Sequence, residues 1–477
     1  MSEELIVSAS GIRGIFGRGL RLETAERYGV AYGAFLAGGL AGEGEGREGE
    51  RSGVVLLGRD SRTSGAALAD AVASGLTGAG WDVGDLGIVP TPTALLAVGE
   101  DEEALGGVVV TASHNPAEWN GLKLASAGGE FISPEDGREV QARFEEEGRH
   151  EDGSLGSTEA AGGRGRRGER RLAEGAIGRH IDRILALPLL SSDEIARRGM
   201  RVALDCVRGA GGLILPDLLE RLGCEVVGIH LEPDGRFPHD PEPVAANLGE
   251  LGRLVHEAKA DLGMAVDPDA DRLALVDESG TPIGEDWTLA LVVELVLAWR
   301  SGPVVTNLSS SQCIADAARR AGQTTYRTRV GEANVAARMR EVGAVIGGEG
   351  NGGVMLPEIH ATRDAPLAAA LVVQLLAERR ESLGRIVAER PRYAIAKRKV
   401  ERPETPLETV YTRLESESES VPEVDHQDGL RLSWPARGAW LHVRPSGTEP
   451  IVRVIAEARN AAEARSLADW AVELVNG

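Results

Sequence analysis

Asp267, Asp269 and Asp271 stand at alternate positions in the run D-P-D-A-D-R, directly after the apolar stretch LGMAV. Carboxylates spaced this way after a strand can converge on one hard cation. An all-oxygen, incomplete ligand set suits Mg²⁺, which tends to bind substrate phosphate as well. A calcium-binding EF-hand loop also begins D-x-D-x-D, but its sixth position needs Gly, and here it is Arg272. Apolar residues on both sides, Ala-Val before and Leu-Ala-Leu-Val after, place the loop against a core.

A second loop, T-A-S-H-N-P, offers Ser113 as a nucleophile. It is not the G-x-S-x-G elbow of hydrolases, and His114, being adjacent in sequence, has poor geometry for a Ser–His dyad. Alone, Ser113 and Asn115 could simply shape a turn before Pro116. Beside a cation, however, a serine can hold a phosphoryl group, because the cation offsets the phosphate charge. Three further loops carry polar groups among glycines. R-P-S-G-T-E-P (444–450) has the forked donor Arg444, the hydroxyls of Ser446 and Thr448, and Gly447, where backbone N–H groups could approach a phosphate. G-G-E-G-N-G-G places Glu349 and Asn351 between permissive glycines, and S-G-I-R-G sets Arg13 between two more. Each of these three could also be an ordinary turn or a solvated terminus.

The surrounding elements favour the chemical reading. An apolar strand, an amphipathic helix, a Gly and a second strand recur three times, beginning at Val54, Arg201 and Val304. Strands alternating with helical patterns predict βαβ units and a mostly parallel sheet. Each copy then supplies another apolar strand, GGVVV, LGMAV or VGAVI, that runs into one of the polar loops. Ligands of open α/β sheets bind outside the carboxyl ends of the strands. Three similar α/β domains with mixed, mostly parallel sheets are therefore expected to present three different loops to one central cleft. A smaller C-terminal α+β domain is expected after about residue 391, ending in a helix over 461–475. The expected limits are 1–155, 170–278, 279–390 and 391–477, with Gly-rich, charged connecting segments at 41–52 and 150–171.

Composition bounds the partners. The net charge of −22 argues against a general nucleic-acid binder, which needs a basic surface, but not against an anionic small molecule held by local arginines. All but four of the 52 basic residues are Arg, so the few lysines, Lys123 among them, mark places where an amine could exchange its proton. The apolar stretches 289–299 and 365–377, interrupted by Glu294 and Gln374, are too short to span a bilayer and read as core helices. The acidic start lacks the pattern of a signal peptide, so a cytoplasmic location without membrane partners is expected. Cys206, Cys224 and Cys313 form no C-x-x-C pair and read as reduced buried thiols. The sequence does not set the oligomeric state.

Taken together, T-A-S-H-N-P with N-G-L-K (120–123), D-P-D-A-D-R, G-E-G-N-G-G and R-P-S-G-T-E-P resemble, in order and spacing along nearly the whole chain, the loops of the α-D-phosphohexomutase family. The resemblance implies that Ser113 is phosphorylated and completes a Mg²⁺ site with Asp267, Asp269 and Asp271. It implies Lys123 and His114 as general acid and base with Arg13 beside them, and Arg272 near the reacting phosphoryl group. It further implies Glu349 and Asn351 on the sugar, and Arg444, Ser446, Gly447 and Thr448 on the phosphate that does not react. Many members read G-E-x-S-G-H in the sugar loop. Here Asn351 and Gly353 match the G-E-x-N-G-G branch often associated with phosphoglucosamine mutases. Pro268 and Ala270 stand where Gly is common in the metal loop. Arg363 and Asp364, just after the sugar loop, could face the cleft or cap the helix that follows.

Overall fold

The computed structural model describes residues 5–8, 11–42, 53–147, 167–418, 420–446 and 450–477. Among the described residues the chain builds four sheets. The first runs, in spatial order, Ile6–Ser8, Gly11–Ile15, Trp119–Ser126, Ala104–Val110, Val54–Arg59, Asp82–Ile88 and Arg170–Leu172. The second runs Leu273–Val276, Leu262–Val266, Arg201–Asp205, Glu225–Ile229. The third runs Thr325–Thr328, Val304–Asn307, Ile346–Glu349, Gly353–Met355. The fourth has five strands and is antiparallel throughout.

The three repeats read in the sequence are parallel strand pairs: Val54–Arg59 with Asp82–Ile88, Arg201–Asp205 with Glu225–Ile229, and Val304–Asn307 with Thr325–Thr328. In each sheet a further strand lies parallel to the first of the pair, then turns back into an antiparallel neighbour. The connections where the chain turns back are the T-A-S-H-N-P, D-P-D-A-D-R and sugar loops. The same topology thus delivers three chemically different loops to the same place in each sheet.

Two details depart from the sequence reading. The third such strand is Ile346–Glu349, not 342–346, because the helix Glu332–Val342 runs on until Gly343 ends it in the left-handed region at φ 62°. Glu349 therefore closes a strand instead of standing in an open loop. Arg170–Leu172, placed by sequence in a connecting segment and at the start of the second domain, adds to the first sheet beside Asp82–Ile88. Residues 43–52 and 150–166 of the expected connecting segments lie outside the described residues.

The two apolar stretches are core helices, Asp286–Trp299 and Ala365–Arg379, buried on nearly every face. Their interrupting polar groups are partnered. Glu294 accepts from Arg390 Nε at 2.7 Å, and Gln374 accepts the Ser191 N–H at 2.8 Å. Both helices belong to one apolar cluster that includes Leu204 and Met264 of the second sheet and Ile346 of the third. No helix among the described residues is long and apolar enough to cross a membrane. The three cysteines are buried and free, and burial pushes the Cys224 thiol up to about 12.

The shared cluster predicts that the second and third units unfold together. Leu371→Ala, at a fully buried site in Ala365–Arg379, should cost about 2–5 kcal/mol and should lower one calorimetric transition common to both units. Separate transitions, only one of which moves, would contradict this.

Candidate active site

The nucleophile candidate sits at a sharp corner. Ser113 has φ 50°, a left-handed conformation that costs a non-glycine residue about 1–2 kcal/mol and persists only where its surroundings hold it. Arg62 supplies the hold. Its buried guanidinium is fixed by Asp60 at 3.0 Å and donates to four carbonyls: Ser113 and Asn115 at 2.6 Å each, Pro116 at 2.6 Å and Trp119 at 2.9 Å. Asp60 also accepts from Thr111 Oγ1, which in turn accepts the Ser113 N–H. No motif in the sequence flags Arg62. Its neighbours, G-R-D-S-R, read as the end of a strand, and only the folded chain brings them under a loop some fifty residues away.

The corner aims Ser113 across to the second unit. Ser113 Oγ donates to Asp267 Oδ2 at 3.0 Å and lies 3.4 Å from His114 Nδ1. Asp267, Asp269 and Asp271 are each at most 1% exposed, and one oxygen of each lies within 4.8 Å of the others. Asp269 Oδ1 and Asp271 Oδ1 are buried without a hydrogen-bond partner. Burial, then the neighbouring Asp271 and Asp269, pushes the Asp267 carboxyl well up. Crowded carboxylates with unpartnered oxygens and an all-oxygen donor set fit a hard divalent cation, and the residues present can hold one. Ala270, at the centre of the loop, is buried with φ 52°, which is a physical reason for Gly to be common there.

Opposing charges stabilise the acidic loop from three sides. Lys123 Nζ donates to Asp269 Oδ2 at 3.2 Å, and Thr91 Oγ1 donates to the same oxygen at 2.8 Å. Burial works against ionisation of Asp269, but Lys123 and the Thr91 hydroxyl outweigh it, leaving its carboxyl below the usual range. Burial alone would lower the Lys123 pKa. Asp269 and Asp271 reverse that, so the ammonium is held above its usual value. His114 is lowered to about 2 by burial and then by Arg272, and is therefore neutral. Arg13 pairs in register with Gly121, and Lys123 with Gly11, so Arg13 and Lys123 share one face of the antiparallel pair.

The third unit enters through Arg363. It donates to Asp271 Oδ2 at 2.5 Å and to Glu349 Oε2 at 2.9 Å, and its Nε lies 3.2 Å from Glu332. Glu349 also accepts from Asn307 Nδ2 at 2.8 Å and from the Gly331 N–H at 3.0 Å. Burial is outweighed by Arg363 and these donors, so Glu349 stays ionised. Arg363 thus joins the end of the strand Ile346–Glu349 to the three-aspartate loop. Asp364 turns the other way: it caps the helix Ala365–Arg379 by accepting the Leu367 N–H, and it also binds His180 and His360. Of the two positions whose role the sequence left open, one faces the cluster and the other is a cap.

Arg272 Nε lies 3.6 Å from Asp271 and is buried without a hydrogen bond, a donor available to an incoming anion. Asn351 Oδ1 accepts the Gly353 N–H at 3.2 Å. Arg444 lies 2.7 Å from Asp428, which also accepts the Val330 N–H. Gly331, next to Val330, donates to Glu349, so Arg444 connects to Glu349 through Asp428, Val330 and Gly331. Ser446 donates its N–H to the Ile451 carbonyl. Gly447 and Thr448 lie outside the described residues.

These four sheets, with a serine, a carboxylate triad and an arginine-bridged glutamate joined across three of them, define a phosphoryl-transfer enzyme architecture. Successive segments match the phosphoglucomutase/phosphomannomutase α/β/α domains I, II and III over residues 4–151, 178–280 and 285–393, and the C-terminal domain over 395–474. A Methanopyrus kandleri protein named "Probable phosphoglucosamine mutase" is 39% identical, with 98% of this chain and 96% of that protein covered. A "Phosphoglucomutase/phosphomannomutase" of Thermococcus kodakarensis is 36% identical, with 98% and 97% covered. The crystal structure of a phosphoglucomutase/phosphomannomutase family protein from Burkholderia thailandensis superimposes with a TM-score of 0.81 at 26% identity, covering 98% of each chain. The N-acetylphosphoglucosamine mutase of Aspergillus fumigatus, solved with GlcNAc-6P and magnesium, shares the fold at a TM-score of 0.54 and 16% identity, with 92% of this chain and 85% of that one covered. The chain belongs to the phosphoglucomutase/phosphomannomutase family.

Arg62 should behave as a positioning residue. Arg62→Lys keeps the charge but cannot fork to four carbonyls, and misplacing the nucleophile should lower kcat about tenfold or more while the variant still folds. Unchanged kcat in a folded variant would remove Arg62 from this role.

Proposed function

We propose that this chain interconverts hexose 6-phosphates and 1-phosphates through a phosphoserine at Ser113 and a bisphosphorylated sugar, with glucosamine phosphate as the preferred sugar. The observation that supports it most is the 3.0 Å contact of Ser113 Oγ with Asp267, beside two buried carboxylate oxygens that lack partners. Asp267, Asp269 and Asp271 would hold Mg²⁺, which supplies charge neutralisation for a phosphoryl group on Ser113.

The chain's own groups then divide the work. Arg272 and Arg363 offer guanidinium donors at the triad, and Glu349 is placed to orient sugar hydroxyls. Arg444, with Ser446, Gly447 and Thr448, is assigned to the phosphate that does not react. In the forward half-reaction the P–Oγ bond of phosphoserine breaks as a bond forms from phosphorus to the free sugar hydroxyl. The hydroxyl proton passes to a base, for which neutral His114 is the assigned acceptor. The Lys123 ammonium, with Arg13 on the same face, supplies positive charge and a proton at the oxygen that leaves. After the sugar reverses its ends, the other phosphate returns to Ser113 by the same steps. A cradle that accepts either end must read phosphate charge more than sugar shape, and the cleft must exclude water or phosphoserine would hydrolyse. The sugar preference rests on the G-E-G-N-G-G loop and on the names of the relatives.

Ser113→Ala should abolish phosphoenzyme and turnover while phosphosugar binding survives; residual wild-type turnover would refute the nucleophile. Turnover measured on glucosamine, glucose and mannose phosphates should rank glucosamine first, with almost no free phosphate released. Stoichiometric phosphate would instead identify a phosphatase. Lys123→Arg keeps the charge but not an exchangeable proton, so kcat should fall about tenfold or more with little change in KM.

A further inference from the structure

Away from the acidic loop, two histidines converge on one carboxylate. Asp205 ends the strand Arg201–Asp205, and its side chain is buried. His230 Nδ1 lies 3.1 Å from Asp205 Oδ1, and His239 Nε2 lies 3.0 Å from Asp205 Oδ2. One atom from each of the three residues falls within 4.8 Å of the others. Metal–ligand bonds of about 2.0–2.2 Å place neighbouring ligand atoms about 3–3.5 Å apart, close to the two histidine-to-Asp205 distances.

The far side of the His239 ring has the arrangement that orients metal-binding imidazoles, and a carboxylate stands farther off behind His230. His239 Nδ1 is 2.8 Å from the Asp240 carbonyl, and His230 Nε2 is 3.8 Å from the Glu250 carboxylate. A carbonyl oxygen only accepts, so His239 Nδ1 must carry a proton. The remaining nitrogen of a neutral ring would then point a lone pair at a carboxylate oxygen 3.0 Å away. That contact is stable only with a second proton on the ring or with a cation shared between nitrogen and oxygen. Carboxylate or carbonyl partners behind ligating histidines are the usual outer shell of a metal centre.

We propose that Asp205, His230 and His239 form a second divalent-cation site, of the imidazole-preferring class that zinc represents, distinct from the three-aspartate loop. The donor sets separate the two: imidazole nitrogens suit zinc and other late first-row ions, whereas an all-oxygen set suits magnesium. His230 and His239 retain 16% and 22% side-chain exposure, which leaves room for a water as a further ligand. A cation here would staple the 230–239 segment to the strand. That segment puts the Phe237 ring 5.0 Å from the Arg62 guanidinium, and Arg208, whose N–H donates to the His230 carbonyl, accepts from Ser61 Oγ at 2.8 Å. The site would therefore brace the residues that hold the Ser113 corner.

The test is equilibrium dialysis of the chelator-stripped full chain against zinc in excess magnesium, with metal analysis. The wild-type chain should retain about one zinc per chain. His230→Gln and His239→Gln should each lose it, and Asp267→Asn should keep it. Cobalt in place of zinc should give the wild-type chain the strong visible bands of a low-coordinate nitrogen-ligated ion, a reading that does not depend on how well the variants fold. No retained zinc, zinc held equally by folded His variants, or only the faint spectrum of six-coordinate cobalt would overturn the proposal and leave Asp205 as a carboxylate held between two histidines.

Discussion

Three carboxylates packed within 4.8 Å of one another in a buried loop repel, and the surrounding structure answers that repulsion. Lys123 reaches the loop from the first unit and Arg363 from the third, while Arg272 stands at its edge within the second. Buried ions that lose a partner are costly, by about 3–5 kcal/mol, so each pair fixes the position of one unit relative to the acidic loop. The electrostatic problem of building a cation site thus also sets the shape of the cleft. The serine hydroxyl then completes the cluster at 3.0 Å from Asp267.

This constraint explains why so much of the support is indirect. Arg62 pairs with Asp60 and not with the three-aspartate loop, yet it determines where Ser113 sits by satisfying four carbonyls of a strained turn. Thr91 starts the helix Thr91–Glu100 and locks Asp269 from a third direction. Asp428 links Arg444 to the strand-end loop before Gly331, whose N–H reaches Glu349. The C-terminal unit is tied to the third by further polar contacts, including Ser309 with His442 at 2.9 Å and the Gln312 N–H donating to Glu457 at 2.8 Å. A phosphate held by Arg444 would be mechanically connected to the sugar loop.

Much of this was legible in the residue order. The three strand–helix–strand repeats follow from local periodicity, and the polar loops at strand ends follow from the repeats. What the sequence concealed are groups whose role depends on long-range packing. Arg62, Thr91, Glu332 and Asn307 have ordinary neighbours and no motif of their own. The start of the third unit's strand was misplaced because VGAVI is apolar enough for either structure, and only the packing of the helix Glu332–Val342 decides it. Burial taken alone disfavours the Lys123 charge. Two aspartates brought from another unit reverse that, and their distance cannot be read from a linear chain.

The central claim is that a phosphoryl group on Ser113 and the cation held by the three aspartates are direct neighbours. Manganese exchanged for magnesium in the phosphorylated chain, observed by phosphorus NMR, tests that contact. The phosphoserine signal should broaden beyond detection on manganese binding and return when magnesium displaces it. A sharp phosphoserine signal in a chain saturated with manganese would place the cation elsewhere and contradict the account.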